Sequence, residues 1–403
     1  LSIRRQRQMC IRDSNMIARK ITEAIQNSIA FYPIIALTGP RQSGKTTLLK
    51  YMFPGYRYVS LENPDNLAFA QNDPNGFLSL YDKMVIFDEV QRAPTLFSYL
   101  QTLVDASKIM GQFVLSGSQN FNLMQKIGQS LAGRVALFKL LPFDFGELKK
   151  ADLLPENYPE LLLRGGYPAL FDRPIPTTNF YGNYVETYVE RDVSDLLNIR
   201  DLGQFKLFLR LCAARVGQIL NITELSKDAG ISIPTLKSWL SILESSYLVY
   251  RLQPYFENFG KRLIKSPKIY FYDTGLLCFL LNIRDEEAIL LSEQKDALFE
   301  NFIINDYLKQ NFHQNLYRDF YFWRDSNGLE IDLMFHNSPS KFDVVEIKST
   351  KTVLPKLFKN LDEFEKWSGG KVNQKILVYG GTQTQNRTHY LVCAWNDVKI
   401  DFI

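Results

Sequence analysis

Short apolar runs alternate with polar, helix-like stretches along the first third of the chain. Five of these runs have the length of buried strands. They are Ile34–Thr38, Tyr56–Ser60, Met84–Asp88, Gln112–Ser116 and Arg134–Leu140. Such alternation is typical of βαβ units, so the pattern predicts an α/β domain with a parallel sheet over residues 15–150.

The rest of the chain divides into three regions by its pattern. Residues 151–215 predict a helical connecting region that is rich in polar and aromatic side chains. Residues 216–285 predict short helices followed by a hairpin, and residues 286–403 predict a helix followed by strands. No apolar run approaches the ~18–20 residues that a membrane helix needs, so we expect no membrane partner.

The first fourteen residues show no periodicity. Met9–Ser14 reads MCIRDS, which resembles a translated adaptor sequence, so we expect residues 1–14 to be a non-native artefact and Met16 the natural start. The alternative is a genuine basic tail. Without its four arginines and one aspartate the formal net charge falls from +4 to +1, so the overall charge says little about partners.

The cysteines lie far apart along the chain, at positions 10, 212, 278 and 393, and form no CxxC pair. This spacing argues against a zinc ribbon and against a disulfide framework. A reducing, cytoplasmic location is the simplest expectation.

A phosphate-binding loop is predicted between the first strand and a helix. Gly39–Thr46 reads GPRQSGKT, in which the glycines let backbone N–H groups face phosphate oxygens, Lys45 reaches the β- and γ-phosphates and Thr46 binds Mg²⁺. The alternative is a glycine-rich turn with a surface lysine. The expected ATP-binding residues are Gly39, Pro40, Arg41, Gln42, Ser43, Gly44, Lys45, Thr46, Thr47 and Asp88.

Two carboxylates end the apolar run Met84–Glu89, which reads MVIFDE. At the carboxyl end of a strand, Asp88 is expected to hold the Mg²⁺ shell together with Thr46, and Glu89 to polarise the attacking water.

Three more polar residues are candidates for the same reaction. Ser118 or Asn120, at the tip of the next strand, could sense the γ-phosphate or orient water; the alternative is a polar turn. Arg134 could act as an arginine finger on a neighbouring subunit of a homo-oligomer; the alternative is a surface or capping arginine.

Four motifs together resemble the AAA-type ATPases of a widespread bacterial and archaeal group whose C-terminal domain is of uncharacterised function. They are GPRQSGKTT, VIFDEVQRAP, VLSGSQN and SLAGR. The motifs GGYP (165–168), YVERD (188–192), YFYDTGLL (270–277) and LFENFI (298–303) resemble that C-terminal domain. The resemblance runs from about residue 17 to the end and implies ATP hydrolysis with Mg²⁺.

A segment of the middle region, Asn221–Tyr255, resembles a winged helix-turn-helix. Thr223 is expected to cap a first helix that ends at Gly230, and a second helix starts at Ser232 or Pro234. The second helix would present Thr235, Lys237 and Ser238 to a DNA major groove. Basic residues on or after the wing would contact phosphates; they are Lys261, Arg262, Lys265 and Lys268. Winged helices also bind proteins, so a protein partner stays open.

The C-terminal strands LEIDLMF and FDVVEIKS place Asp332 on one strand, and Glu346 and Lys348 on one face of the next. This resembles the PD-(D/E)xK nuclease core, although Ile331 stands where that motif has proline. The resemblance implies that Asp332 and Glu346, with Glu300 from the preceding helix, bind Mg²⁺ or Mn²⁺. The alternative is an inactive DNA-binding or scaffold domain.

The expected architecture is therefore α/β: a P-loop AAA-type ATPase domain, a winged helix-turn-helix, and a restriction-endonuclease-like domain. The expected function is an ATPase that couples nucleotide state to a DNA-binding, nuclease-like unit. The rivals are a nucleotide-gated switch that binds a protein, and a DNA remodeller with a degenerate nuclease fold.

Overall fold

The computed structural model describes residues 16–118, 130–187, 201–256 and 265–400. The predicted artefact at residues 1–14 and the motif at 188–192 lie outside these ranges.

The first sheet has five parallel strands in the order β2-β3-β4-β1-β5. They are β1 Ile34–Thr38, β2 Arg57–Ser60, β3 Val85–Asp88, β4 Phe113–Gly117 and β5 Val135–Lys139. Each predicted strand is present, with its ends moved by at most one residue. The predicted parallel α/β sheet is confirmed.

Helices cover both faces of this sheet, which explains why its central strand β1 is buried along its whole length. The helices are α1 Ile21–Ser28, α2 Lys45–Met52, α3 Pro64–Asn72, α4 Pro74–Leu80 and α5 Leu96–Ser107. Apolar side chains of α1 and α2 pack on one face, and those of α4 and α5 pack on the other. The loop between β1 and α2 therefore lies at the carboxyl edge of a fully covered sheet.

A second group of helices follows the first sheet. It comprises α6 Phe145–Lys150, α7 Tyr158–Arg164, α8 Ala169–Asp172, α9 Thr177–Tyr184, α10 Leu202–Ala214, α11 Ile222–Asp228 and α12 Ile233–Ser245. The predicted cap at Thr223 is wrong. Thr223 lies inside α11, and the side chain of Asn221 caps this helix by accepting from the N–H of Glu224 at 3.1 Å. Ser232 caps α12.

The second sheet is mixed and has eight strands in the order β12-β13-β11-β10-β9-β8-β6-β7. The strands are β6 Val249–Pro254, β7 Lys268–Phe271, β8 Phe320–Arg324, β9 Glu330–Ser338, β10 Lys341–Lys348, β11 Val372–Tyr379, β12 Gln385–Asn386 and β13 Leu391–Ala394. Its helices are α13 Thr274–Leu280, α14 Glu286–Leu291, α15 Lys295–His313 and α16 Lys359–Trp367. β6 pairs antiparallel with β7 and parallel with β8, so the hairpin after α12 continues directly into the C-terminal sheet.

One apolar core holds the helices after the first sheet, the hairpin and one face of the second sheet together. Helix α15 packs on that face through Phe302 and Ile303, whereas α16 covers the opposite face through Leu361 and Phe364. The boundaries predicted at residues 215 and 285 are not marked by separate apolar cores.

The cysteines of the described ranges, Cys212, Cys278 and Cys393, are buried free thiols. Burial raises the pKa of each of them, which keeps the thiols protonated and unreactive. Among the helices that the structure describes, none is long and apolar enough to cross a lipid bilayer.

Candidate functional sites

The loop between β1 and α2 can be built only with glycine at two positions. Gly39 has a φ of +147°, and a Cβ there would lie 2.1 Å from the carbonyl oxygen of Leu140. Gly44 has a φ of +91° and caps α2 in the left-handed conformation. These two positions give the loop its tight curl around the start of the helix.

Lys45 lies inside this curl with 6% of its surface exposed. Its Nζ donates to the carbonyl oxygens of Gly39 at 2.9 Å and Pro40 at 2.8 Å. Burial lowers the pKa of Lys45 to about 8, and the nearby carboxylates of Glu89 and Asp88 oppose that effect. The ammonium group therefore faces two carboxylates in a poorly solvated site.

Asp88, at the end of β3, connects two neighbouring strands and helix α2 at one point. Its Oδ2 accepts hydrogen bonds from the hydroxyls of Thr46 at 2.9 Å and Tyr58 at 2.6 Å, and its Oδ1 accepts from Ser116. Burial and Asp88 together raise the pKa of Tyr58. Sequence reasoning missed Tyr58 and Ser116. Ser116 stands near the carboxyl end of β4, next to β3, and this position is a signal that could have found it; Tyr58 stands early in β2 and reaches Asp88 only through its long side chain.

Glu89 follows with a φ of +55°, a left-handed conformation that turns its side chain away from the strand. Its carboxylate accepts from the Ser118 hydroxyl at 2.9 Å and the Ser118 N–H at 3.3 Å, and also from the amide of Gln91. Ser118 thus lies at the predicted site as a partner of Glu89. Asn120 lies outside the described residues.

ATP and Mg²⁺ fit the residues at this edge. The buried hydroxyl of Ser43 has no hydrogen-bond partner in the described part of the chain, and Thr46 and Asp88 place two oxygen atoms that could bind a cation 2.9 Å apart. The other predicted residues of the loop, Pro40, Arg41, Gln42 and Thr47, lie in the curl or in the first turn of α2.

Arg134 lies at the opposite edge of the sheet. Its carbonyl accepts from the N–H of Ile34, at the amino end of β1, whereas the loop follows the carboxyl end of that strand. Its guanidinium binds both carboxylate oxygens of Asp105, at 2.6 and 2.8 Å. Arg134 therefore takes no part in the phosphate loop of its own chain.

A second polar cluster forms on the second sheet. The Nζ of Lys348 lies 2.8 Å from Glu346 and 3.3 Å from Asp332. Asp332 also accepts from the N–H of Ile347 at 2.7 Å, and Glu346 accepts from the amide of Asn360 at 3.1 Å. The structure thus brings the predicted pair of carboxylates and their lysine together.

Glu300 enters the same cluster from α15, and two residues absent from the prediction accompany it. Its carboxylate contacts Lys268 at 2.9 Å, and Glu330 contacts the same Nζ. Carboxylate oxygens of Glu300, Glu330 and Asp332 lie within 4.8 Å of one another. Glu330 stands two residues before Asp332 on β9. Since side chains alternate along a strand, this spacing could have predicted that the two residues share a face.

The expectation that Lys268 contacts DNA phosphates is wrong. Its side chain is buried in the ion pairs with Glu300 and Glu330, because it stands at the start of β7 and points into the cluster. Lys265 is exposed, whereas Lys261 and Arg262 lie outside the described residues.

Burial sets the protonation of this cluster. Burial and the neighbouring charge of Asp332 raise the pKa of Glu346 to about 8, against the opposing effect of Lys348. Burial likewise raises the pKa of Glu300. The Oε2 atom of Glu346 is buried without a hydrogen-bond partner among the described residues. A hard divalent cation suits such a set of oxygen donors.

The predicted recognition helix presents polar residues to solvent. On α12, Lys237 and Ser238 are exposed. Thr235 is half-buried, and its hydroxyl lies 2.8 Å from the hydroxyl of Ser232. The opposite side of the helix packs into the core through Leu236, Leu240 and Leu243.

Three parts of the chain match described families. Residues 32–149 match an AAA domain, residues 155–287 match a domain of unknown function (DUF8612), and residues 295–397 match a second domain of unknown function (DUF4143). The first match and the loop geometry together make the N-terminal part a P-loop ATPase domain.

Two similar proteins are both named as uncharacterized. Uncharacterized protein Rv2008c of Mycobacterium tuberculosis is 33% identical over 324 residues, which cover 79% of this chain and 71% of that protein. An uncharacterized protein of Haemophilus influenzae is 25% identical over 277 residues, covering 60% of this chain and 68% of that protein. The structure of a Walker-type ATPase of Pyrococcus abyssi covers 65% of this chain and 95% of its own, with 14% identity and a TM-score of 0.44.

Proposed function

We propose that this chain, which belongs to the same family as Rv2008c of Mycobacterium tuberculosis, hydrolyses ATP in its AAA domain and uses the nucleotide state to control a DNA-binding, nuclease-like unit formed by the rest of the chain. The two halves of this proposal depend on different residues and are tested separately.

The contact between Thr46 and Asp88 carries the first half. These two oxygen donors lie 2.9 Å apart beside the loop, and together they would hold Mg²⁺, which neutralises phosphate charge when bound. Lys45, buried in the curl, binds the β- and γ-phosphates as a cation. Glu89, fixed by Ser118, orients the attacking water and accepts its proton.

Removal of the Lys45 ammonium tests this half. We expect Lys45→Ala to abolish ATP binding in equilibrium titrations with a fluorescent ATP analogue, because the loop loses the cation that opposes the phosphates. Lys83→Ala is the matched control, since Lys83 is exposed and lies just before β3, at the edge of the sheet opposite the loop. Tight ATP binding by Lys45→Ala would refute the assignment of the loop.

The surface of α12 supports DNA binding. Lys237 and Ser238 project from a helix whose other side is anchored in the core, and the exposed Lys265 precedes the second strand of the hairpin. A polar helix backed by a hairpin suits insertion into a major groove with phosphate contacts from the flanking strand.

The carboxylate–lysine cluster supports a nuclease-like unit. Its elements run as a helix, three antiparallel strands, a helix and a parallel strand, from α15 to β11. Asp332 and Glu346, with Glu300, would hold Mg²⁺ or Mn²⁺, which activates water against a phosphodiester when bound. The unpaired Oε2 of Glu346 and the shared ammonium of Lys348 fit that chemistry.

DNA binding and cleavage are measured with the full chain in the presence of ATP. We expect a salt-dependent affinity for duplex DNA that Lys237→Ala weakens, while the exposed Lys359→Ala on α16 leaves it unchanged. Cleavage in Mn²⁺ should disappear in Asp332→Ala. Absence of DNA binding at low salt would refute the DNA assignment. Wild-type cleavage by Asp332→Ala would place any nuclease chemistry elsewhere.

A second candidate function is a nucleotide-gated switch that binds a protein partner and keeps an inactive nuclease-like scaffold. The observation in its favour is Lys268, whose ammonium already neutralises the carboxylates of Glu300 and Glu330 within the cluster. DNA binding without cleavage in any divalent metal would retain the DNA assignment and remove the nuclease. Neither DNA binding nor cleavage would favour the switch.

A further inference from the structure

The back of the phosphate loop is held by Arg19, a residue that precedes the AAA domain match. Arg19 is 7% exposed, and its Nη1 donates to the carbonyl oxygen of Ser43 at 3.0 Å. Its Nη2 donates to the carbonyl of Leu141 at 2.5 Å, and its Nε donates to Glu147 at 3.0 Å. The planar guanidinium therefore fixes three acceptors from different segments at once.

The bond to Ser43 sets the direction of the next N–H group. In a trans peptide the C=O and the following N–H point in opposite directions. Because the Ser43 carbonyl faces Arg19, the N–H of Gly44 points away from Arg19, towards the side of the loop that receives phosphate. Gly44 has a φ of +91°. Because glycine has no side chain, Gly44 itself offers no steric barrier to rotation of the Ser43–Gly44 peptide.

Arg19 also connects the loop to the C-terminal part of the chain. Its Nη2 lies 3.5 Å from Nε2 of His313, the last residue of α15, and Nδ1 of His313 lies 3.1 Å from Asp144. Glu300 stands near the other end of the same helix, in the carboxylate–lysine cluster. Glu300 and His313 are 13 residues apart on this helix, or roughly 20 Å, so α15 joins the phosphate loop to the second site.

We propose that Arg19 is a positioning residue for nucleotide binding: it holds the Ser43–Gly44 peptide with its N–H towards the bound phosphates, and it links that peptide to α15. The proposal rests on the proposed ATP binding by the loop. Arg19 itself contacts no phosphate, because its guanidinium lies on the carbonyl side of the peptide.

Arg19→Lys is the direct test. Lysine keeps the charge but lacks the fork that reaches Ser43, Leu141 and Glu147 together. We expect the affinity for ADP and ATP to fall about tenfold, the size of one lost hydrogen bond to a charged ligand. The weak affinity for AMP should not change, because AMP has no β-phosphate to meet the loop.

Lys20→Met is the matched control. Lys20 is the neighbouring residue and pairs with Asp144 at 2.9 Å in the same cluster, but it has no bond to the loop. We expect Lys20→Met to bind ADP like the wild type. If Lys20→Met and Arg19→Lys lose the same affinity for ADP, the effect is a general structural one and the proposal is overturned. The same holds if Arg19→Lys loses as much affinity for AMP as for ADP.

A measurement on the wild type keeps the proposal testable if Arg19→Lys does not fold. Amide hydrogen exchange is followed with and without ADP. We expect ADP to slow exchange at the C-terminal end of α15, around His313, and to leave α16 unchanged. Unchanged exchange in α15, while ADP binds, would overturn the link. Failure of the wild type to bind ADP or ATP would instead refute the proposed function of the loop.

Discussion

The hydroxyl of Thr46 donates to Oδ2 of Asp88 at 2.9 Å, although 42 residues separate them along the chain. This contact fixes the start of α2 against the end of β3. Glu89 is the next residue after Asp88, and Ser118 holds its carboxylate. Its place directly after the proposed Mg²⁺ ligand Asp88 makes it the expected catalytic base.

We expect Glu89→Gln to retain ATP and to slow its hydrolysis by about 10²–10⁴-fold. The amide can still hold a water, but it is a poor proton acceptor. Single-turnover phosphate release and analogue binding separate the two effects. Glu287→Gln is the control, because Glu287 is exposed on α14, outside the residues that match the AAA domain. A near-normal turnover of Glu89→Gln would move the catalytic role to another residue.

Arg134 lies at the edge of the sheet opposite its own phosphate loop, so a catalytic role requires a neighbouring subunit. We expect Arg134→Ala to lower turnover on the order of 10³-fold without weakening ATP binding. Turnover per subunit of the wild type should rise with protein concentration, since the finger acts across an interface. Steady-state hydrolysis over a range of concentrations measures both.

The partner of Arg134 provides the control for this prediction. Asp105→Asn removes the carboxylate that holds Arg134 but leaves the guanidinium in place. If Arg134 is only a surface residue paired with Asp105, the two variants should have the same small effect on stability and turnover. A turnover that is independent of concentration in the wild type would support that structural role.

The sequence predicted the phosphate loop because its signal is local: a strand, a glycine-rich turn and a helix follow one another within about twenty residues. The same is true of Asp332, Glu346 and Lys348, whose spacing on paired strands places them on one face. Lys268 was misjudged because its partners Glu300 and Glu330 stand 32 and 62 residues later, beyond any periodic pattern.

Arg19 shows a different reason why a site residue is missed. Its partners at the loop are the backbone carbonyls of Ser43 and Leu141, and every residue has a carbonyl. No side-chain pattern in the sequence distinguishes such an acceptor. The position of an arginine behind the loop becomes visible only when α1, the loop and the segment after β5 are brought together by folding.

Asp306 gives the stability of the chain a pH dependence. It is buried on α15, where it accepts from the N–H of Phe145 at 2.8 Å and from the amide of Gln310. Burial and the charge of Asp144 raise the pKa of Asp306 to about 7. The folded state therefore holds this proton more tightly than the unfolded chain. Its stabilising effect is complete below about pH 4 and is lost as the pH rises through 7.

We expect the stability of Asp306→Asn to increase relative to that of the wild type as the pH rises. Between pH 5.5 and 8 the free energy of unfolding of the wild type should fall by about 2 kcal/mol relative to the variant. Denaturant titrations at the two pH values measure this difference. Asp343→Asn serves as a comparison. Asp343 lies on β10, where burial also raises its carboxyl pKa, but it is far from Asp144. A difference that does not change with pH would show that Asp306 is ionised throughout.

Lys268 supplies the cation that balances the acidic side of the second cluster. Burial alone would lower the pKa of Lys268, but the carboxylates of Glu300 and Glu330 outweigh that effect and raise it. The lysine therefore stays charged, and its removal leaves buried carboxylates without a partner. Loss of one member of a buried ion pair typically lowers the free energy of unfolding by about 3–5 kcal/mol. We expect removal of the Lys268 ammonium to have an effect of roughly this size.

We predict that Lys268→Met lowers the melting temperature and that millimolar Mn²⁺ restores much of the loss, because a divalent ion can take the position of the missing ammonium between Glu300, Glu330 and Asp332. The wild type should gain less stability from Mn²⁺, since Lys268 already neutralises Glu300 and Glu330 and an ion bound in the proposed nuclease-like site replaces no missing charge. Thermal unfolding with and without Mn²⁺ measures both responses. Lys265→Met, which removes an exposed lysine three residues earlier, should change neither the melting temperature nor the response to Mn²⁺. Equal Mn²⁺ shifts in the wild type and in Lys268→Met would mean that the ion does not take the position of the Lys268 ammonium.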